Sequence, residues 1–321
     1  MVPDGLGCLR MSTRSLSTPG AQTAPGSPDR SRTTRLRHGD IHAGCVLLCQ
    51  FGHVASSGTL IAAGMSRRAL GRLASDAAVW HPRRGILACE HLDGDARLAV
   101  SVGARLDCVS VLRERKIWTG DDRRLHLRLP PSGRISHPER LPPKACVHWS
   151  SRASGNDRLR TSVLSAVRQA MSCLPGDDLI AALESAVYYK AISLAEFEQT
   201  VNSAPEHLRS LLHEADARAQ SGYETHARLR LRRAGHRVDP QVFVPGVGHV
   251  DNVVDDVVDL ETDGREFHAD SFAEDRLRDM GCEWFGLRVL RIPATLVLTD
   301  WDRIEETVCR MVAAGPSSRT R

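Results

Sequence analysis

The stretch VDNVVDDVVDLETDGREFH, residues 250–268, decides how the C-terminal third of this chain folds. Six of the thirteen residues from Asp251 to Asp263 are acidic, yet valines and a leucine are interleaved with them at strand spacing. A solvated acidic loop would not carry so much β-branched side chain, so a hairpin of strands is expected. Side chains alternate across a strand, which sets Val257, Asp259, Glu261 and Asp263 on one face and Val258, Leu260 and Thr262 on the other. One face suits a core, and the other gathers negative charge. Crowded carboxylates repel and take up protons unless a cation lies between them. A hard divalent ion such as Mg²⁺ meets that need, because it prefers oxygen ligands and binds through one or two carboxylates. The alternative is an acidic strand face wetted by solvent. Asp255, Asp256 and Asp259 read as turn and surface residues, and the Asp263–Gly264 step favours a tight turn with positive φ.

Around this hairpin the chain reads α-β-β-β-α-β-α. A helix over SGYETHARLRLRRAG comes first, then a strand at residues 238–244, the hairpin, a helix at 271–283, the strand LRVLRI and a last helix at 300–314. That order implies an α/β sandwich with a mixed sheet over residues 220–315. Upstream, residues 162–173, 177–189, 193–201 and 205–219 have helical spacing, with Ser193 and Glu196 as a capping box and Tyr188 and Tyr189 as core or rim packing residues, or else partner contacts. Between residues 91 and 160 a helix at 109–116 and strands at 125–129 and 145–149 are expected, with no evident chemistry.

Residues 40–90 read as short helices, an extended piece and the segment WHPRRGILAC, the order of a winged helix-turn-helix. The helix at 66–75 would be the recognition helix and present Arg67, Arg68 and Arg72, while Arg83 and Arg84 stand on the wing. Arginines on an amphipathic helix are often only a solvated face, but the element order and the second arginine pair favour DNA contact. Residues 1–39, rich in Pro, Ser, Thr and Arg, read as a disordered leader, and 316–321 as a tail. The fold class is therefore α+β: a winged-helix head, a connecting region at 91–219 that becomes helical, and the C-terminal sandwich.

Composition narrows the function classes. No apolar run approaches the roughly 20 residues that span a bilayer, so no membrane partner is expected. Nine cysteines without a CxxC pair or clustered Cys/His spacing make a disulfide framework or structural zinc unexpected, and a reducing cytoplasm is the natural setting. A net charge of +4 is too small to mark a nucleic-acid binder by itself. The lysines are Lys116, Lys144 and Lys190, so nothing beyond Lys190 can supply a catalytic lysine.

SGYETHARLRLRRAG, Val250–Asp251, LETDGREFH and FAEDRLRDMGCEWFGLRVLRI, in that order, resemble the Vsr-like branch of the PD-(D/E)xK nuclease superfamily. The segment from His53 to Cys89 is similar to the N-terminal winged helix of AbiEi-type antitoxins. The first resemblance implies a restriction-endonuclease-like fold and Mg²⁺- or Mn²⁺-dependent hydrolysis of DNA. It further implies that Glu224 is the acid of the first helix, Asp251 and Glu261 the metal ligands, Asp263 part of the second acidic motif, and His268 the histidine after the glycine turn. Asp275 or Asp279 would be the acid paired with that histidine. The departure is Asp263 in place of the lysine of the acid-x-lysine pattern; the histidine-using branch lacks that lysine as well. Elementary chemistry agrees, since phosphodiester hydrolysis needs an activated water, neutralised phosphate charge and a proton for the leaving oxygen. An imidazole such as His268, with an unperturbed pKa of about 6.5, suits the last task. The expected partner is DNA, with a homodimer as a further assembly. The rival is a non-enzymatic, antitoxin-like repressor with a degenerate nuclease domain, and a third reading is an interaction scaffold.

Overall fold

The computed structural model describes residues 41–92, 94–151, 157–263 and 272–317. The expected leader, Gly264, His268 and the end of the tail lie outside the described residues, as does the side chain of Asp275. Among the described residues the chain is a mixed α+β protein of thirteen α-helices and three open sheets. None of these helices is long and apolar enough to cross a membrane.

The N-terminal unit contains α1 (Ile41–Gln50), β1 (Val54–Ser56), α2 (Ser57–Ala62), α3 (Arg67–Ala74), β2 (Val79–Arg83) and β3 (Ile86–Cys89). Its antiparallel sheet has the order β1-β3-β2. Serines start the two short helices: the hydroxyls of Ser56 and Ser66 accept from the Thr59 and Ala69 amides at 3.0 and 3.1 Å. Leu48, Leu60, Leu73 and Leu87 close the core beneath them. Gly85 has φ 75°, which allows the tight reversal from β2 to β3.

The middle region adds α4 (Gly94–Ser101), β4 (Arg105–Leu106), α5 (Cys108–Glu114), β5 (His126–Leu129) and β6 (Cys146–Trp149). Helices α6 (Val163–Ala170), α7 (Gly176–Tyr188), α8 (Leu194–Asn202) and α9 (Glu206–Leu212) follow. Its sheet, β4-β5-β6, pairs β4 antiparallel and β6 parallel to β5. The capping box at Ser193 and Glu196 forms. The helix expected to reach residue 219 stops at Leu212, and the Asp216 amide instead donates to Glu184 Oε1 at 2.6 Å. Tyr188 and Tyr189 are exposed and stack edge-on against each other, at the rim of the core and not inside it.

The C-terminal unit comprises α10 (Gly222–Arg233), β7 (Val238–Val244), β8 (Gly248–Val254), β9 (Val258–Asp263), α11 (Phe272–Trp284), β10 (Arg288–Pro293), α12 (Leu296–Thr299) and α13 (Trp301–Ala313). The sheet order is β10-β9-β8-β7, antiparallel except for the β9–β10 pair. A parallel pair needs a crossover, and α11 provides it. Val254, Val258, Leu260, Ile304 and Val308 form a core with α10 and α13 on one face, while Val253, Cys282 and Leu287 pack on the other, under α11. Val257 joins Val258 in the first of these cores instead of facing with Asp259, because it still belongs to the turn before β9.

Helix α10 belongs to two cores at once. Ala227 and Leu231 enter the C-terminal core, whereas Leu229 enters that of the middle region. Arg228, fully buried, reaches Glu184 of α7 at 2.5 Å, and Thr225 donates to the other oxygen of the same carboxylate at 2.5 Å. At the start of the helix Gly222 lies under Trp118, whose ring a Cβ would overlap.

Candidate functional site

The carboxylates singled out in the sequence meet over the two inner strands of the C-terminal sheet, β8 and β9. Ser221 caps α10 by accepting from the Glu224 amide, which leaves the Glu224 side chain in the first turn and nearly buried. Its Oε2 accepts from the Gln220 amide at 3.0 Å and from Gln241 Nε2 at 3.1 Å. Gln241 also lies 3.5 Å from Asp251 Oδ1, so one amide sits between the two acids. It does so from β7 with φ 54°, a left-handed conformation that a glutamine rarely adopts. Asp251 projects from β8, and its Oδ2 accepts from the Thr262 amide of β9 at 3.0 Å.

Glu261 completes the group from β9. Its register partner on β10 is Arg291, whose Nη1 approaches Glu261 Oε2 to 2.8 Å, and Arg278 of α11 reaches Oε1 at 3.3 Å. Arg291 also contacts Asp263 at 3.3 Å and Asp279 at 2.8 Å. A guanidinium from the neighbouring strand thus stands among the acids although the acid-x-lysine position holds Asp263. Asp279 belongs to this network; Asp275 shares its helix, one turn earlier.

Asp259 is not a surface residue. It is fully buried under α11, with Cys282 Sγ 3.6 Å from Oδ2 and no partner for Oδ1. The alternation that turns Glu261 toward the pocket turns Asp259 the same way, but two residues deeper in the sheet. Asp255 and Asp256 do occupy the β8–β9 turn, with φ 50° and 59°, and Asp255 is bound by His236 at 2.6 Å.

Six carboxylates (Glu224, Asp251, Asp259, Glu261, Asp263 and Asp279) therefore share three arginines, Arg276, Arg278 and Arg291. The imbalance acts on their protons. Burial, and then the charge of Asp251, pushes Glu224 up to about 7. Burial with the charges of Glu261 and Asp251 pushes Asp259 up to about 8. Asp251 and Glu261 are raised as well, again chiefly by burial, which outweighs the Thr262 amide in one case and Arg291 in the other.

On the N-terminal unit Arg67 and Arg68 are exposed on α3, with Arg72 half-buried one turn on. Arg84 is exposed at the β2–β3 turn; Arg83, also exposed, extends Nη1 to the Gly103 carbonyl at 3.4 Å, toward the middle region.

Two further groups combine metal-ligand side chains whose donor atoms all lie within 4.8 Å of one another: Cys49, His53, Cys89 and His91, and Cys108, His126, His148 and Cys173. Among the described residues the acidic pocket does not form a group that tight. The segment read as devoid of chemistry thus supplies Cys108, His126 and His148. Spacing in the chain hides them, since successive members lie 18 and 22 residues apart; the signal available is a histidine inside each of the apolar strands LHLRL and CVHW. Gln241 and Arg291 had no sequence signal of their own. Neither a family model nor a curated protein matches the chain.

Proposed function

We propose that the chain is a DNA endonuclease, with a winged helix-turn-helix head that holds DNA and a Vsr-like, restriction-endonuclease-like unit that hydrolyses it with Mg²⁺ or Mn²⁺. The observation that carries this reading is the convergence of Glu224, Asp251 and Glu261 from α10, β8 and β9 on a pocket where acids outnumber bases. The donor set fits a hard cation: all oxygen, buried enough to be raised toward protonation, and including one carboxylate oxygen, on Asp259, that lacks a partner. Asp251 and Glu261 would hold the ion. Bound there, it supplies charge neutralisation at the phosphate and a more acidic water. Glu224, near neutrality in its proton affinity, can exchange a proton at physiological pH, and Gln241 fixes its orientation toward Asp251. Arg278, 40 % exposed at the rim, can meet a phosphate oxygen, and Arg67 and Arg68 can meet others at the head.

The test is cleavage of supercoiled plasmid by the full chain. Nicking is expected in Mg²⁺ and not in EDTA, with Asp251→Ala and Glu261→Ala at background. Cutting that survives both substitutions, or no cutting with either metal, would sink the proposal.

A second reading draws on one observation: Glu261 is already paired with both Arg278 and Arg291. This favours a non-enzymatic, AbiEi-antitoxin-like repressor whose C-terminal unit only holds DNA or a partner. It predicts binding to one site far more tightly than to random DNA, lost in Arg68→Ala and untouched by Asp251→Ala.

A further inference from the structure

We propose that Cys108, His126, His148 and Cys173 form a closed tetrahedral Zn²⁺ site that staples the middle sheet to its helices. The four come from four places: the first residue of α5, strand β5, strand β6 and the turn after α6. Cys108 and His126 are fully buried, and His148 and Cys173 are half-buried.

The geometry matches zinc. With bonds of about 2.05 Å to nitrogen and about 2.3 Å to sulfur, a tetrahedral ion requires nitrogen–nitrogen edges of about 3.3 Å and nitrogen–sulfur edges of about 3.6 Å. His126 Nδ1 lies 3.3 Å from His148 Nε2, which in turn lies 3.8 Å from Cys173 Sγ. One outer nitrogen is engaged as a zinc-bound imidazole requires, His126 Nε2 facing Asp122 Oδ2 at 3.2 Å; His148 Nδ1 lies 3.2 Å from Gln169 Nε2, a donor, so its N–H gains an acceptor only with that side-chain amide turned over. If those outer nitrogens carry the protons, the two inner lone pairs face each other across 3.3 Å, an arrangement that a shared cation relieves.

Cys108 holds φ 49°, unusual for a residue other than glycine, and this conformation keeps its thiol in the group. Zinc binding would release the thiol protons to solvent and leave two thiolates and two neutral imidazoles around Zn²⁺, a neutral unit suited to burial. A cleft of about 860 Å³ bordered by Asp122, Lys144 and Cys173 gives the ion a way in. Four protein ligands leave no open position, which assigns the ion a structural and not a catalytic task.

The test is metal analysis of the full chain in a His91→Ala background, which removes a ligand from the other Cys/His group. One equivalent of zinc per chain should remain there. It should be lost on adding Cys173→Ser and kept on adding Cys146→Ser, although that thiol lies only 3.7 Å from His148 Nε2. Co²⁺ in place of zinc should give the intense visible bands of a tetrahedral thiolate site in the folded His91→Ala chain, a readout that needs no change to the proposed ligands. Zinc absent from the His91→Ala chain together with no such bands, or zinc retained by Cys173→Ser, would overturn the site; loss in Cys146→Ser alone would overturn this ligand set.

Discussion

The molecule buries charge in two different ways, at the α7–α10 seam and in the acidic pocket. At the seam one carboxylate meets one guanidinium: Glu184 accepts from Arg228, Thr225 and the Asp216 amide, so both oxygens are satisfied. Asp107 does the same for Arg128 and Thr161 in the middle region. In the pocket six carboxylates share Arg276, Arg278 and Arg291, and Asp259 keeps an oxygen without a partner. A matched pair fixes the packing of helices. An unmatched set has free energy left to gain from a proton or a cation, and for that reason it marks a site.

The contrast can be broken from the seam. Arg228→Met strands Glu184 in the core and should cost about 3–5 kcal/mol in urea unfolding, with no rescue by divalent metal. Arg291→Met, in the pocket, should cost less, about 1–2 kcal/mol, because Glu261 and Asp263 can take up a proton or an ion instead. Millimolar Mg²⁺ should recover most of that loss, as ligand binding to the native state does. Equal costs for the two substitutions, or a Mg²⁺ effect on Arg228→Met, would erase the distinction.

Acidity sharpens it further. Glu224 rises from 4.5 to about 7 and Asp259 from 3.8 to about 8, so the folded state binds these protons more tightly than the unfolded chain. Their stabilisation is complete below the ordinary carboxyl range and is lost as pH rises through the folded values. In EDTA the melting temperature should therefore fall between about pH 5 and about pH 8. Asp259→Asn should flatten the upper part of that fall, and Mg²⁺ should stabilise the wild type most at its alkaline end. The smallest effect is expected at the head, where Arg68→Ala should lower the salt slope of DNA binding by about one.

Much of this was legible in the sequence because it is local. Strand β7 falls where alternation put it, the serine caps start α2, α3, α8 and α10, and the valine-carboxylate pattern forms adjacent strands of one sheet. Short α4 and β4 were missed, since a two-residue strand such as Arg105–Leu106 has no periodicity to read. The site was legible only as a list of acids. Which of them lie deep depends on where α11 crosses, and no property of Asp259 itself reveals that Cys282 will cover it. Arg291 becomes the partner of Glu261 through parallel register, a long-range relation. The Cys/His group depends on the same kind of relation: His126 and His148 meet because β5 and β6 pair in parallel across an intervening loop.

Helix α10, with one side in each of two cores, bears on how this chain can be recombined. A fragment beginning near residue 220 would carry Arg228 and Leu229 into water, and one ending there would leave Glu184 without its cation. The C-terminal unit is thus not an exchangeable cassette. Any homologous replacement must bring a helix whose rear surface fits α7, so the two sides of α10 can change only together, and Glu224 is anchored through Arg228 and Thr225 to Glu184 of the middle region.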